Sequence, residues 1–362
     1  MPAPRLGPVL AAIGGLYLGQ SVIGGLAFQT LPAVLRQQGQ GLQVIGLFSL
    51  MFLPQALKFL WAPAVERLRL RADGRRHSKP IILAGQGIAV LLLIVLAAGD
   101  GDPWFSFGLI AAAMLVAATL DIACDGFAVE QLPPRVRGWG NTLQVGGAYL
   151  GMALGGGLAL VLLRHWGWSA AILALAAALA VAAIPLALLR EPPGVAPPAR
   201  PSLRQAWARP LLRDGLRRVA MTQTGLRMAM ALLPALLVDA GLGLGGIGWL
   251  NGLGGTTVGL AGTLAAGALA ARAGGSEALL RPALVAQAAI FLALGAAAFF
   301  AAPAAVLVGL ALLLGLAAGF AFVALYAAMM GWAAGPQPGI DFSLLQCADA
   351  GLAVVAGMAA VS

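Results

Sequence analysis

Long apolar runs follow one another along almost the whole of this chain. Each has roughly 18 or more residues, enough to cross about 30 Å of hydrocarbon at 1.5 Å per helical residue. Lipid offers backbone N–H and C=O groups no partner, so a spanning segment must satisfy them internally, as a helix or a closed barrel. The runs are too long and too rich in Ala, Leu and Gly for barrel strands. Only 10% of the 362 residues are charged and 60% are hydrophobic, whereas a soluble domain carries about a quarter charged residues. The expected fold class is therefore an all-α integral membrane protein. Spans are read at about 8–35, 43–62, 80–99, 104–129, 139–163, 168–189, 219–238, 244–270, 282–301, 303–332 and 341–361.

The formal net charge of +9 does not call for nucleic acid, because the basic residues sit in short loops between spans. Residues 63–79 carry six positive side chains against Glu66 and Asp73. Arg135 and Arg137 follow span 4, and 190–218 holds seven arginines against Glu191 and Asp214. The alternate loops are neutral or, at "GDGDP", acidic. Under the positive-inside rule the N-terminus and the 190–218 segment face the cytoplasm. The first apolar run is too long for a signal-peptide core and is read as an uncleaved span. Cys124 and Cys347 lie in apolar spans without metal or disulfide spacing. No nucleophile–base pair, metal cluster or phosphate loop points to an enzyme, and no cofactor is expected.

The chain repeats itself. "LPAVLRQQGQGLQVIG" at 31–46 matches "LPALLVDAGLGLGGIG" at 233–248, an offset of 202. The same offset places Lys79-Pro80 on Arg281-Pro282, Leu143-Gln144 on Leu345-Gln346 and Gly155 on Gly357. Two parallel halves are expected, 1–190 and 219–362, joined by a Pro-rich cytoplasmic linker at 191–218, the pattern of a transporter built from two six-helix repeats. The sixth span has no counterpart before Ser362, so a twelfth helix is expected to be missing, through truncation or a frameshifted reading frame.

Charges inside the spans are few. Asp121 lies 17 residues after Trp104, about 25 Å along span 4, with Asp125 one turn further and on the same face. Glu130 falls near the headgroups. Lys58, in "PQALKFLWAP", reaches a similar depth on span 2. A charge in mid-bilayer costs a few kcal/mol, so such groups should face one another or water. Three readings stand open: a static Lys58–Asp pair, a gating or proton-coupling cluster, or a hydrated aspartate near the interface. Uncharged polar side chains and one deep cation are candidates for substrate contact: Gln20 and Gln29 on span 1, Asn141, Gln144 and Tyr149 on span 5, Gln223 and Arg227 on span 7, Asn251 on span 8, Tyr326 on span 10, Gln346 and Asp349 on span 11. Each could instead be helix glue. Arg227 sits too deep to snorkel easily and could bind an anion.

The segments "KFLWAPAVERL" (58–68), "DIACDGFAVEQL" (121–132), "RGWGNTLQVGGAYLGMALGGG" (137–157) and "GIDFSLLQCADA" (339–350) resemble the siderophore-permease branch of the major facilitator superfamily, and more distantly its muropeptide permeases and acetyl-CoA transporters. The resemblance covers nearly the whole chain. It implies a monomeric secondary transporter that imports a ferric siderophore or similar chelate by alternating access, with H+ as the coupling ion. It also implies a charge relay at the cytoplasmic gate formed by Glu66, Arg75, Arg76, Asp125, Arg137 and Asp341. A muropeptide cargo, or a membrane protein that transports nothing, are the alternatives.

Overall fold

The computed structural model describes residues 6–41, 48–71, 73–99, 101–191, 200–272 and 276–359. The expected start of the second span at 43–47 and most of the Pro-rich linker, 192–199, lie outside the described residues. Helix α1 runs over Leu6–Gln37 with a π turn at Leu26–Thr30. α2 (Leu50–Leu60) and α3 (Ala62–Arg69) follow, then α4 (Ser78–Ala97), α5 (Pro103–Gln131), α6 (Arg137–Met152) and α7 (Ala159–Leu188). After the short α8 (Leu203–Ala208) come α9 (Pro210–Asp239), α10 (Leu244–Trp249) and α11 (Gly255–Arg272). α12 (Leu280–Phe299), α13 (Ala304–Ala333) and α14 (Pro338–Ala359) complete the described chain.

Nine helical stretches among the described residues are long and apolar enough to cross a membrane, and the chain is a multi-pass membrane protein. Eleven spans were expected from sequence, and two local features account for the difference. The described part of span 2, Leu50–Leu60, is short. Spans 5 and 6 run together as one stretch, Pro134–Leu188, which turns at Gly167 with φ 78° and ψ 177°. That left-handed backbone suits a residue without Cβ, so the "RHWGW" turn read from sequence is present. Just beyond it, Trp168 Nε1 donates to Leu96 O at 2.9 Å and Ser169 Oγ to Ala97 O at 2.7 Å. These bonds satisfy carbonyls that the end of α4 leaves open.

Helix starts follow local chemistry. Asp102 caps α5, accepting the Phe105 N–H at 2.7 Å, and Pro103 supplies a preset φ where no N–H is needed. One acid of the "GDGDP" loop thus has a structural duty.

The chain divides into two compact units. One comprises Met1–Leu132, Gly147–Ala208 and Ala333–Cys347. Its core joins Leu31 and Leu35 of α1, Leu93 and Leu96 of α4, Ile110 and Met114 of α5, and Ile172, Leu175 and Leu179 of α7. The other comprises Pro133–Gly146, Arg209–Trp332 and Ala348–Ser362, with Leu226, Leu237, Leu294, Leu307 and Leu314 at its centre. Both α6 and α14 therefore contribute residues to each unit.

Lipid gives little hydrophobic drive between helices, so close backbone approach must supply the contact. In the first unit a Cβ built on Gly155 would stand 2.0 Å from the Val22 carbonyl oxygen. Thr30 Oγ1 donates to Gly155 O at 2.7 Å and to Gly156 O at 3.0 Å, fixing α1 against the π turn Ala153–Leu158. A Gly155→Val variant should lose about 1–3 kcal/mol through overpacking, read as a lower melting temperature of the detergent-solubilised protein. Gly157→Ala, whose Cβ would meet nothing within 4 Å, should melt like wild type.

Candidate functional site

Lys58 opens a short 3-10 turn, Lys58–Leu60, at the end of α2, and its side chain is buried. Its ammonium group bonds Asp121 Oδ2 and Gln346 Oε1 and lies 3.5 Å from Asp125 Oδ2. Three N–H donors thus meet three acceptors. The i, i+4 spacing of the aspartates on α5 brings both carboxylates to one amine. Asp125 is secured further by Tyr17 of α1, whose hydroxyl donates to Oδ1 at 2.5 Å. Gln346 Nε2 donates to the same oxygen at 3.5 Å, and Gln20 bonds the neighbouring Cys124 Sγ at 3.4 Å. One cation faces two carboxylates, so the cluster holds one negative charge in excess unless a proton sits on one of them.

A second network in the same unit centres on Arg69. Its Nε and Nη2 reach the two oxygens of Glu66, each at 2.9 Å, and Nη1 reaches Glu130 Oε2 at 2.6 Å. Nη1 also donates to Ser78 Oγ at 3.3 Å. Glu130 is shared with Arg76 at 3.1 Å. Glu66 Oε1 accepts the backbone N–H of Gly339, at the start of α14, at 3.0 Å. Burial by itself would disfavour the guanidinium charge, but Glu66 and then Glu130 more than offset it, so the Arg69 pKa is held above its ordinary value.

The second unit has its own ion pair. Arg227 of α9 grips Asp349 of α14 through two parallel bonds, Nε to Oδ1 at 2.9 Å and Nη2 to Oδ2 at 2.6 Å. Tyr326 of α13 donates to Asp349 Oδ2 at 3.1 Å. The guanidinium carbon lies 5.0 Å from the centre of the Phe322 ring, within cation–π range.

The expected gating residues therefore separate. Lys58, Asp121 and Asp125 meet in one cluster and Glu66, Arg76 and Glu130 in another. Arg75 joins neither: it is exposed and lies 3.7 Å from Asp73, two residues away in its own turn. Asp341 is buried in the first turn of α14 and accepts from Gln337 Nε2 at 3.2 Å. Arg137 Nε is buried without a partner among the described residues.

The substrate candidates divide as well. Gln346 belongs with Lys58, and Arg227, Tyr326 and Asp349 form one cluster. Asn141 donates to Arg137 O at 2.8 Å and to Met330 Sδ at 3.2 Å. Its Oδ1, Gln144 Oε1 and Gln223 Oε1 are buried without partners among the described residues. Gln29 is exposed and Tyr149 half-buried, and the Asn251 side chain lies outside the described residues. Sequence reasoning missed two residues. Arg69 was concealed among six basic residues of one loop, although its i, i+3 spacing from Glu66 was a usable signal. Tyr17 carried none.

The model for the Major Facilitator Superfamily matches residues 9–342. An anhydromuropeptide permease of Escherichia coli strain K12 is 33% identical over 267 residues, 69% of this chain and 53% of the permease. The chain thus spans about half the length of the curated relative it matches. A bacterial homologue of the iron transporter ferroportin, solved in an outward-facing state with soaked iron, superposes with a TM-score of 0.69 at 18% identity, covering 97% of this chain and 91% of the homologue. The transporter FucP in an outward conformation gives 0.66 at 14% identity, with 97% and 89% covered. At such identities the two structures speak to the fold alone.

Replacing Arg69 by Met should leave Glu66 a buried, unneutralised acid and Glu130 with Arg76 as its remaining cation, at a cost of about 3–5 kcal/mol. Thermal melting of the purified protein should show the loss. Arg69→Lys, which keeps charge but not the fork, should recover only part of it. Melting unchanged in Arg69→Met would refute the central place given to this residue.

Proposed function

Because the chain belongs to the Major Facilitator Superfamily, we propose that it is a proton-driven importer of the bacterial inner membrane, monomeric, with its N-terminus in the cytoplasm. The observation that carries this reading is the charge imbalance around Lys58, with two carboxylates and one ammonium group out of water. A net charge there costs several kcal/mol, and a proton taken up on one carboxylate removes it. Protonation of one carboxylate would also weaken that aspartate's hold on Lys58 and free the ammonium group to redistribute its remaining bonds, the one to Gln346 on α14 included. A proton arriving from one side and leaving to the other would thus make and break a link to α14, as alternating access requires.

For cargo, the 33% identity to an anhydromuropeptide permease supports a muropeptide or related sugar-peptide. The ferric-siderophore reading is the second, and it rests on the motifs at 58–68, 121–132, 137–157 and 339–350. The test is uptake of labelled anhydromuropeptide by cells expressing the gene, with and without an uncoupler. Wild type should accumulate label and lose accumulation with the uncoupler. Asp121→Asn and Asp125→Asn should each cut accumulation about tenfold or more, on the scale of one charged hydrogen bond, while keeping binding. Uptake of ferric siderophores in place of muropeptide would select the second reading. Uptake of neither would sink the proposal.

A further inference from the structure

Arg227 has features that a static helix pin would not need. It lies nine residues beyond Arg218, about 13 Å along the axis of α9, and Arg218 is an exposed residue paired with Asp214 at 2.9 Å. Arg227 is therefore well inside the span, where a guanidinium is tolerated only against a partner or an aqueous cavity. Its partner is unequally covered: the Asp349 side chain is 2% exposed, the Arg227 side chain 20%. A pin designed only to join helices would gain by burying both groups. Here the anion is enclosed and anchored by Tyr326, whereas a fifth of the Arg227 side chain stays exposed while one face of its guanidinium packs over Phe322.

We propose that Arg227 is the carboxylate-binding residue for the transported solute, and that Asp349 is its resident, displaceable counter-ion. The proposal rests on the transport reading above and names the chemistry of the cargo: an anion with at least one free carboxylate, as peptide-bearing sugars have. The fork that Arg227 presents to Asp349 is the geometry in which a guanidinium holds any carboxylate. The incoming group would replace one set of charge-assisted bonds by an equivalent set. The cost of partly desolvating Arg227 is already met by the folded protein, which is preorganisation in its ordinary sense. Asp349, on release, keeps the Tyr326 hydroxyl. A solute whose carboxylate is capped as an amide offers a neutral acceptor and cannot match the bonds it displaces. Among the described residues, Asp349 of α14 holds Arg227 directly and Tyr326 of α13 bonds Asp349 in turn.

Binding by the purified full chain in detergent tests this, with N-acetylmuramyl dipeptide as the free acid and as its carboxamide. Affinity is read by titration and by the shift in melting temperature. Wild type should prefer the acid about tenfold, the scale of one charge-assisted bond. Arg227→Gln should erase the preference and Arg227→Lys should keep part of it. Asp349→Asn should bind the acid more tightly than wild type, because the internal competitor has lost its charge. A purely structural pair gives a different pattern, in which both neutral variants melt earlier and neither changes the ratio of acid to amide. Equal affinity for acid and amide in wild type overturns the inference. So does an acid preference that survives Arg227→Gln, or one that Asp349→Asn abolishes. Absence of muropeptide uptake in cells, with the acid preference intact, would remove the transport reading and leave the carboxylate site standing.

Discussion

An ammonium group surrounded by protein in the middle of an apolar bundle must be met by oxygen on every N–H it carries. Lys58 has three such bonds to make, and the sequence supplies three side chains from two helices to make them: Asp121 and Asp125 of α5, and Gln346 of α14. Removal of any one would leave a donor facing hydrocarbon. The requirement fixes the rotation of α5 about its axis, since both aspartates must point one way. It also fixes the depth of the first turns of α14 and engages α1 through Tyr17.

Helix α14 has a special position in this arrangement. Its first backbone amides include Gly339 N–H, bound to Glu66. Two turns on, Gln346 bonds Lys58 and Asp125, and Asp349, three residues later on the same face, holds Arg227. One helix therefore supplies a partner to each of the three charge clusters. Within the first unit, a movement of this part of α14 along its axis by one residue, about 1.5 Å, would break bonds to both Glu66 and Lys58. Hydrogen bonds at 2.6–3.5 Å do not stretch that far, so such a motion would be stepwise.

The elements most legible in sequence were those written in periodic or charged code. Apolar run length located most of the helical stretches long enough to cross a membrane. Depth counting put Lys58 level with Asp121, where the structure joins them. What sequence could not give was the partnering of groups that are common in their local context. Arg69 is one of six positive residues in its loop, and only three-dimensional placement singles it out from Arg75, which remains in water beside Asp73. Gln346 and Arg227 each stand out in sequence as a polar group in an apolar span. Polarity tells that a partner is required, not which. The span count differed where backbone conformation decides: a glycine with positive φ turns the chain within what composition reads as a single apolar stretch.

The choice between lysine and arginine at these sites is itself informative. Of 22 basic residues only Lys58 and Lys79 are lysines, so arginine is the default cation of this chain. Arg69 and Arg227 each hold a carboxylate with two parallel bonds, a use for which the planar fork is suited. At position 58 the acceptors lie on three different side chains rather than on one carboxylate edge, and a compact ammonium with rotatable donors fits where a rigid fork would not. A lysine can also redistribute its three bonds among three acceptors by rotation about a single bond, without moving its own backbone. An arginine there would have to break a bidentate pair to do the same. The residue type at 58 thus matches acceptors spread over three side chains, and the residue types at 69 and 227 match carboxylates met edge to edge.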